Sequence, residues 1–136
     1  MNIILQVESK SNDKLWASNI AEVLGAEIQS QYPNIQIEQP RSTPDSNHAN
    51  LEFLPLLKMI VEHIPQIVST TSALIKIFSA IKYVYKSYKN DIDSKGGAIK
   101  IDIDRNGNKY HLEISNFTQF QEDFSSIETL IKPNTN

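Results

Sequence analysis

Two spacings of apolar residues take turns along the chain. From Asn2 to Glu8, Ile3, Leu5 and Val7 share one side of an extended segment and Ile4 the other. A strand apolar on both faces for part of its length suits an inner position in a sheet. Ser9 to Asp13 supplies turn and cap chemistry. Trp16, Ile20, Val23, Leu24 and Ile28 then recur at helical spacing, which predicts a helix from near Asn12 to Gln31. Tyr32-Pro33-Asn34 stops it, because proline disfavours helix for the residue before it. Ile35 and Ile37 alternate with Gln36 and Glu38 as a second strand. Strand, helix and strand in that order predict a right-handed parallel crossover.

Gln39 to Asn50 has two prolines and no apolar run, so it reads as a long exposed loop, either mobile or a binding loop. Leu51 to Asn90 is apolar and periodic, and it predicts a pair of helices. The first places Leu54, Leu57, Ile60, Val61 and Ile64 on one face, beginning near Phe53 and ending or kinking at Pro65. The second places Leu74, Ile77, Phe78, Ile81, Val84, Tyr85 and Tyr88 on one face. It closes on Lys82, Lys86 and Lys89, which complement its negative end. Asp91 to Gly97 is read as the exit loop.

Ala98 to Ser115 is the most legible stretch. Asn106-Gly107 is a strong two-residue hairpin signal, since both residues accept positive φ. That turn places Asp104 opposite Lys109, Asp102 opposite His111 and Lys100 opposite Glu113 on one face. Ile103 then meets Tyr110, Ile101 meets Leu112 and Ile99 meets Ile114 on the other. A slip of one residue would put charges into the core. Phe117, Phe120, Phe124, Ile127, Leu130 and Ile131 predict a final amphipathic helix, with a polar tail from Pro133. The expected architecture is an α/β (α+β) two-layer sandwich. A mixed sheet of about four strands, in the order β-α-β-α-α-β-β-α, carries helices mainly on one face. Residues 1–132 form a single domain and 133–136 a flexible tail.

Composition narrows the function classes. The 136 residues are 40% hydrophobic and 21% charged, ordinary for a globular chain. A net charge of −3 and a pI near 5.6 argue against a general nucleic-acid binder. The absence of cysteine removes disulfides, thiolate metal sites and cysteine nucleophiles, and fits a cytoplasmic setting. Met1 to Val7 is apolar but lacks a basic leader and a cleavage site, so it does not read as a signal peptide. Ile64 to Ile75 is uncharged but falls short of the roughly twenty residues a spanning helix needs.

Asp102, Asp104, Asn106, Gly107 and Glu113 spell a calcium-binding loop of the EF-hand type. The flanks, however, alternate with period two rather than 3.6, and Lys109 occupies a loop position that is apolar in that motif. The hairpin reading therefore stands, leaving Asp102 and Asp104 as at most a weak cation pair. His48, His63 and His111 are not spaced as a local ligand pair. Ser69 to Ser72 offers hydroxyls without a neighbouring base, and chain breaking and capping explain them better. With glycine only at 25, 96, 97 and 107, a phosphate-cradling loop is absent. Catalytic residues, bound cofactor and resident metal are accordingly all expected to be lacking. Lys82, Lys86 and Lys89 interleave with Tyr83, Tyr85 and Tyr88 in the one basic-aromatic patch. Most simply this is a solvated helix face. Lys82, Lys86, Lys89, Tyr85 and Tyr88 are its candidate partner contacts.

The segments Ser69 to Lys89 and Ala98 to Ser115 together resemble the effector-associated constant component family of bacterial conflict systems. There, a small-residue break precedes an apolar helix with aromatic and basic residues at its end, followed by a hairpin. Here the break is rich in Ser and Thr, and the turn is Asn106-Gly107 where that family commonly has Asp-Gly. The resemblance spans residues 1–115. It implies a non-enzymatic adaptor that couples an effector to a regulator in a defence or signalling system, with another protein as its partner. A peripheral membrane protein using the helical pair across 51–88 is the alternative.

Overall fold

Strand β1 (Asn2–Glu8) is the central strand of a five-stranded antiparallel sheet in a computed structural model that describes residues 1–41, 54–61, 70–105, 107–115, 122 and 125. The elements that follow are α1 (Lys14–Gln31), β2 (Gln36–Glu38), β3 (Leu56–Ile60), α2 (Thr70–Ser87), α3 (Lys89–Ser94), β4 (Ala98–Arg105) and β5 (Asn108–Ile114). The strand order is β2-β3-β1-β4-β5. The fold is thus α+β and two-layered, with the helices on one face of the sheet.

Three features differ from the sequence-based expectation. The sheet has five strands rather than four and is antiparallel throughout rather than mixed. β1 and β2 do run in the same direction, but β3 is inserted antiparallel between them, so the expected parallel pair never meets. The third difference is β3 itself, which replaces the first of the two helices expected across 51–88. Leu57 and Met59 point inward at 1% exposure each, while Lys58 and Ile60 point outward. Five residues satisfy a period of two and a period of 3.6 almost equally. Edge bonding to β1 decides the matter, extended by Val7 N–H donating to the Pro55 carbonyl at 2.9 Å. Ile60 is displayed at 45% exposure rather than buried on a helix face.

α1 begins where the sequence placed it. Ser9 Oγ accepts from the Asp13 N–H at 2.8 Å, and Asp13 Oδ1 accepts from the Trp16 N–H at 3.0 Å, an N-cap that satisfies a free first-turn donor. Its inward stripe of Ala17, Ile20, Ala21, Leu24 and Ile28 covers the sheet beside α2, whose Leu74, Ile77, Phe78 and Ile81 do the same. From the sheet, Ile3, Leu5, Val7, Ile99, Ile101 and Ile103 rise to meet them. Each such side chain contributes about 1.5–3 kcal/mol through burial.

Asp91 to Gly97, expected as an exit loop, instead holds most of α3. One buried residue, Ile92, tacks that helix to the core, too little apolar periodicity to announce a helix. Its exit is tight. A Cβ on Gly97 would lie 2.7 Å from Trp16 Cη2 and 2.9 Å from Ile92 Cγ2. The hairpin has the expected register at all seven pairs, from Arg105–Asn108 to Ile99–Ile114, with Gly107 at φ +81. The calcium-loop spelling therefore falls on two strands and a turn. The final helix expected across 117–131 lies outside the described residues except for Glu122 and Ser125, which are helical. The tail, most of the 39–50 loop, the Pro65 kink, His48 and His63 also lie outside them.

Candidate functional site

The face of the sheet away from the helices carries the polar chemistry. Alternation along each strand places Asn2, Ile4 and Gln6 of β1 on this face, with Lys100, Asp102 and Asp104 of β4 and Lys109, His111 and Glu113 of β5 beside them. β1 is central because it is paired on both edges and not because both its faces are covered, and Ile4 is 38% exposed. One polar face is how antiparallel sheets meet water.

Two side chains on this face are joined. His111 Nδ1 lies 2.5 Å from Asp102 Oδ1, with the two side chains 57% and 59% exposed. The register explains the proximity. Counting from the closing pair Arg105–Asn108, Asp102 and His111 fall at a non-hydrogen-bonded position of the ladder, where opposing side chains stand closest. An ionised carboxylate only accepts, so the neutral ring must place its hydrogen on Nδ1 to make this bond. Nε2 then keeps its lone pair. Beside the pair runs a shallow groove of about 410 Å³ lined by Asn2, Ile4, Asp102, Asp104, Lys109 and His111, among others. The groove combines one basic nitrogen, two carboxylates, an ammonium and an apolar floor.

A second groove of about 520 Å³ lies at the opposite end of the hairpin, between Glu8, Lys10, Asp93, Gly96, Glu113 and Ser115. Its charge is already partly committed, since Lys100 Nζ donates to Glu8 Oε2 at 3.1 Å. That bond, reinforced by the neighbouring charge of Glu8, raises the Lys100 pKa. Nearby, Trp16 Nε1 donates to Asp91 Oδ2 at 2.9 Å and Lys95 Nζ donates to Asp13 Oδ2 at 3.0 Å, tying α1 to α3. The Trp16 N–H and then the Lys95 ammonium hold the Asp13 carboxyl below its usual range. These bonds build a corner of the fold.

The basic-aromatic patch expected on α2 is only partly there. Lys86 and Lys89 are exposed, Tyr88 is 39% exposed and Lys82 is half-buried. Tyr85, a candidate contact, is wholly buried, and desolvation raises its pKa. It cannot touch a partner. Tyr83, between Lys82 and Tyr85, faces outward at 59%. Of the 39–50 loop, Gln39 to Arg41 are described. Gln39 Nε2 donates to the carbonyls of Leu54 at 2.9 Å and Ser18 at 3.2 Å, so one side chain holds both ends of that connection. Among the described residues no helix is long and apolar enough to cross a membrane. With β3 in place of a helix, the apolar helical pair that motivated the membrane alternative is gone.

The sequence already sets Asp102 against His111, but as scaffolding. The overlooked signal is that their position in the ladder brings an imidazole onto a carboxylate and leaves its far nitrogen available.

No protein-family model matches the chain. No curated protein matches it significantly. Among solved structures, similarity is found to a phage SAM lyase in its apo state, at 12% identity and a TM-score of 0.42, covering 85% of this chain and 90% of that one. It is also found to a phage SAM lyase in complex with S-methyl-5'-thioadenosine, at 10% identity and a TM-score of 0.41, covering 84% and 87%. These neighbours are enzymes, against the expectation of a non-enzymatic adaptor. That expectation, and the accompanying one of no enzymatic activity, are accordingly withdrawn. A likeness at this level assigns neither a reaction nor a residue to the present chain.

Proposed function

We propose that the open face of the hairpin is a proton-transfer site for a small polar substrate, with His111 Nε2 as the general base. Asp102 is the positioning residue that fixes the ring. The single observation supporting this is the 2.5 Å contact from His111 Nδ1 to Asp102 Oδ1 beside a groove of about 410 Å³. A carboxylate on the far nitrogen selects the tautomer and stabilises the imidazolium formed when the base takes a proton. A positioned base of this kind typically contributes about 10²–10⁴-fold to a rate.

The lining defines the substrate class. Asp102 and Asp104 outnumber Lys109, so with a neutral imidazole the groove favours a ligand with a positive or hydrogen-bond-donating group. Ile4 offers an apolar contact at its floor. The substrate would therefore be a small metabolite with a basic or hydroxyl-bearing end and an apolar body.

The test is a titration of the folded protein with small cationic and hydroxyl-bearing metabolites, SAM among them, followed by the His111 ring and groove amide signals. Saturable shifts confined to Ile4, Asp102, Asp104, Lys109 and His111, and weakened in His111→Gln, are expected. Ligand-induced shifts that centre elsewhere, or that survive His111→Gln unchanged, overturn the assignment.

A further inference from the structure

The two edges of the sheet are unequal. β2 offers three residues, Gln36–Glu38, whereas β5 offers seven, Asn108–Ile114, and among the described residues β5 pairs only with β4. Short edges resist further pairing, and long ones invite it.

The register fixes which backbone groups β5 presents. A turn of two residues can close the ladder only if Arg105 and Asn108 exchange both bonds with each other. Alternation then directs the N–H and C=O of Asn108, Tyr110, Leu112 and Ile114 toward β4. Those of Lys109, His111 and Glu113 point away, along the edge that no described strand pairs. The same three residues project their side chains on the open face, while Tyr110 and Leu112 lie on the helix face. There Tyr110 is 44% exposed and Leu112 only partly buried.

This edge is complementary to itself. Turned about a two-fold axis through His111 and laid antiparallel on a second copy, it sets Lys109 against Glu113 and Glu113 against Lys109. Tyr110 meets Leu112 on both sides of the axis. Neither Lys109 nor Glu113 is in an ion pair within the chain among the described residues. All outward backbone groups of the three residues find partners in the same alignment. A one-residue shift would bring the inward-bonded residues to the edge and lose that match. Centring on Lys109 or on Glu113 would oppose like charges, and centring on Tyr110 or Leu112 keeps the backbone match but gives up both Lys109–Glu113 pairs.

We infer that β5 is a self-association strand, through which two copies join antiparallel about His111 into one ten-stranded sheet. This rests on strand register and charge, independently of the proton-transfer reading. Opposite charges facing one another, and an aromatic facing a branched apolar residue, are the cross-strand pairs that stabilise such a junction. The join also brings the two Asp102–His111 pairs side by side on one continuous face.

Sedimentation equilibrium on the full chain, at concentrations on the order of a few hundred micromolar where a small interface is populated, is the test. The wild type is expected at twice the 15.4 kDa chain mass. Lys109→Glu and Glu113→Lys each convert two attractive pairs into repulsive ones and should weaken dimerisation roughly ten-fold or more. The double variant Lys109→Glu/Glu113→Lys restores both intermolecular pairs and should return to within about three-fold of wild type. Inside one chain the double variant is instead the worst case. It sets a carboxylate at position 109 against Asp104 and an ammonium at position 113 against Lys100, so mere damage to the hairpin would lower dimerisation further. A second readout is amide exchange, in which Lys109, His111 and Glu113 gain protection as concentration rises. A monomeric wild type, a dimer indifferent to both single reversals, or a double variant weaker than either single overturns the inference.

Discussion

A methyl group at position 97 has nowhere to go. It would approach the Trp16 ring to 2.7 Å and the Ile92 carbonyl to 3.2 Å, both held by the α1–α3 corner. Gly97→Ala is therefore expected to cost roughly 1–3 kcal/mol by overpacking, measured by denaturant unfolding. At Gly107 the space is open and only the positive φ objects. Gly107→Ala should accordingly cost about 1–2 kcal/mol, as left-handed strain alone. Asp13 acts through charge. Its folded-state pKa is lowered, by the Trp16 N–H first and Lys95 second, so its contribution is present above the ordinary carboxylate range. That contribution fades as pH falls through the lowered value. Asp13→Asn keeps an N-capping oxygen but not the charge. It should flatten the loss of stability on acidification, read from unfolding midpoints across a pH series.

The hairpin and β3 mark the two extremes of what was legible among the elements. In the hairpin, a turn dipeptide, a period of two and paired charges all agree, so the register could be read pair by pair. In β3, five residues had to be judged without a turn signal, and their neighbours on both sides extended a helical stripe that the strand does not share. α3 was hidden for the opposite reason. With Ile92 as its one buried residue, it leaves no periodic trace. The two faces of the sheet give a direct check. Ile101, 1% exposed, should lose about 2–5 kcal/mol on Ile101→Ala, as core truncations do. Ile4 on the open face, at 38%, should lose less than half as much, with unfolding midpoints ranking the two.

Across the whole molecule, the sheet order follows from contacts far apart in sequence, which local pattern does not encode. That β3 inserts between β1 and β2 is a long-range fact, and it turned an expected parallel crossover into an antiparallel sheet. The layer count and the placement of helices on one face were legible, because alternation within strands records which face meets apolar partners. The candidate site was half legible. Asp102 and His111 were placed opposite one another by register, but a residue list does not say that their side chains close to 2.5 Å beside a groove. The buried Tyr85 shows the converse error, an aromatic assigned to a surface patch because lysines flank it in sequence. Amide exchange should follow the same architecture, with β1 and β4 slowest and the short edge strand β2 fastest.

His111 Nε2 can act as the base only while the neutral ring carries its hydrogen on Nδ1. Long-range nitrogen–proton correlation spectra of the His111 ring, recorded where the imidazole is neutral, locate it directly. Hydrogen on Nδ1 and a lone pair on Nε2 are expected in the wild type, with the tautomer preference relaxing in Asp102→Ala. A wild-type ring protonated on Nε2, unchanged by Asp102→Ala, would rule out His111 Nε2 as the base.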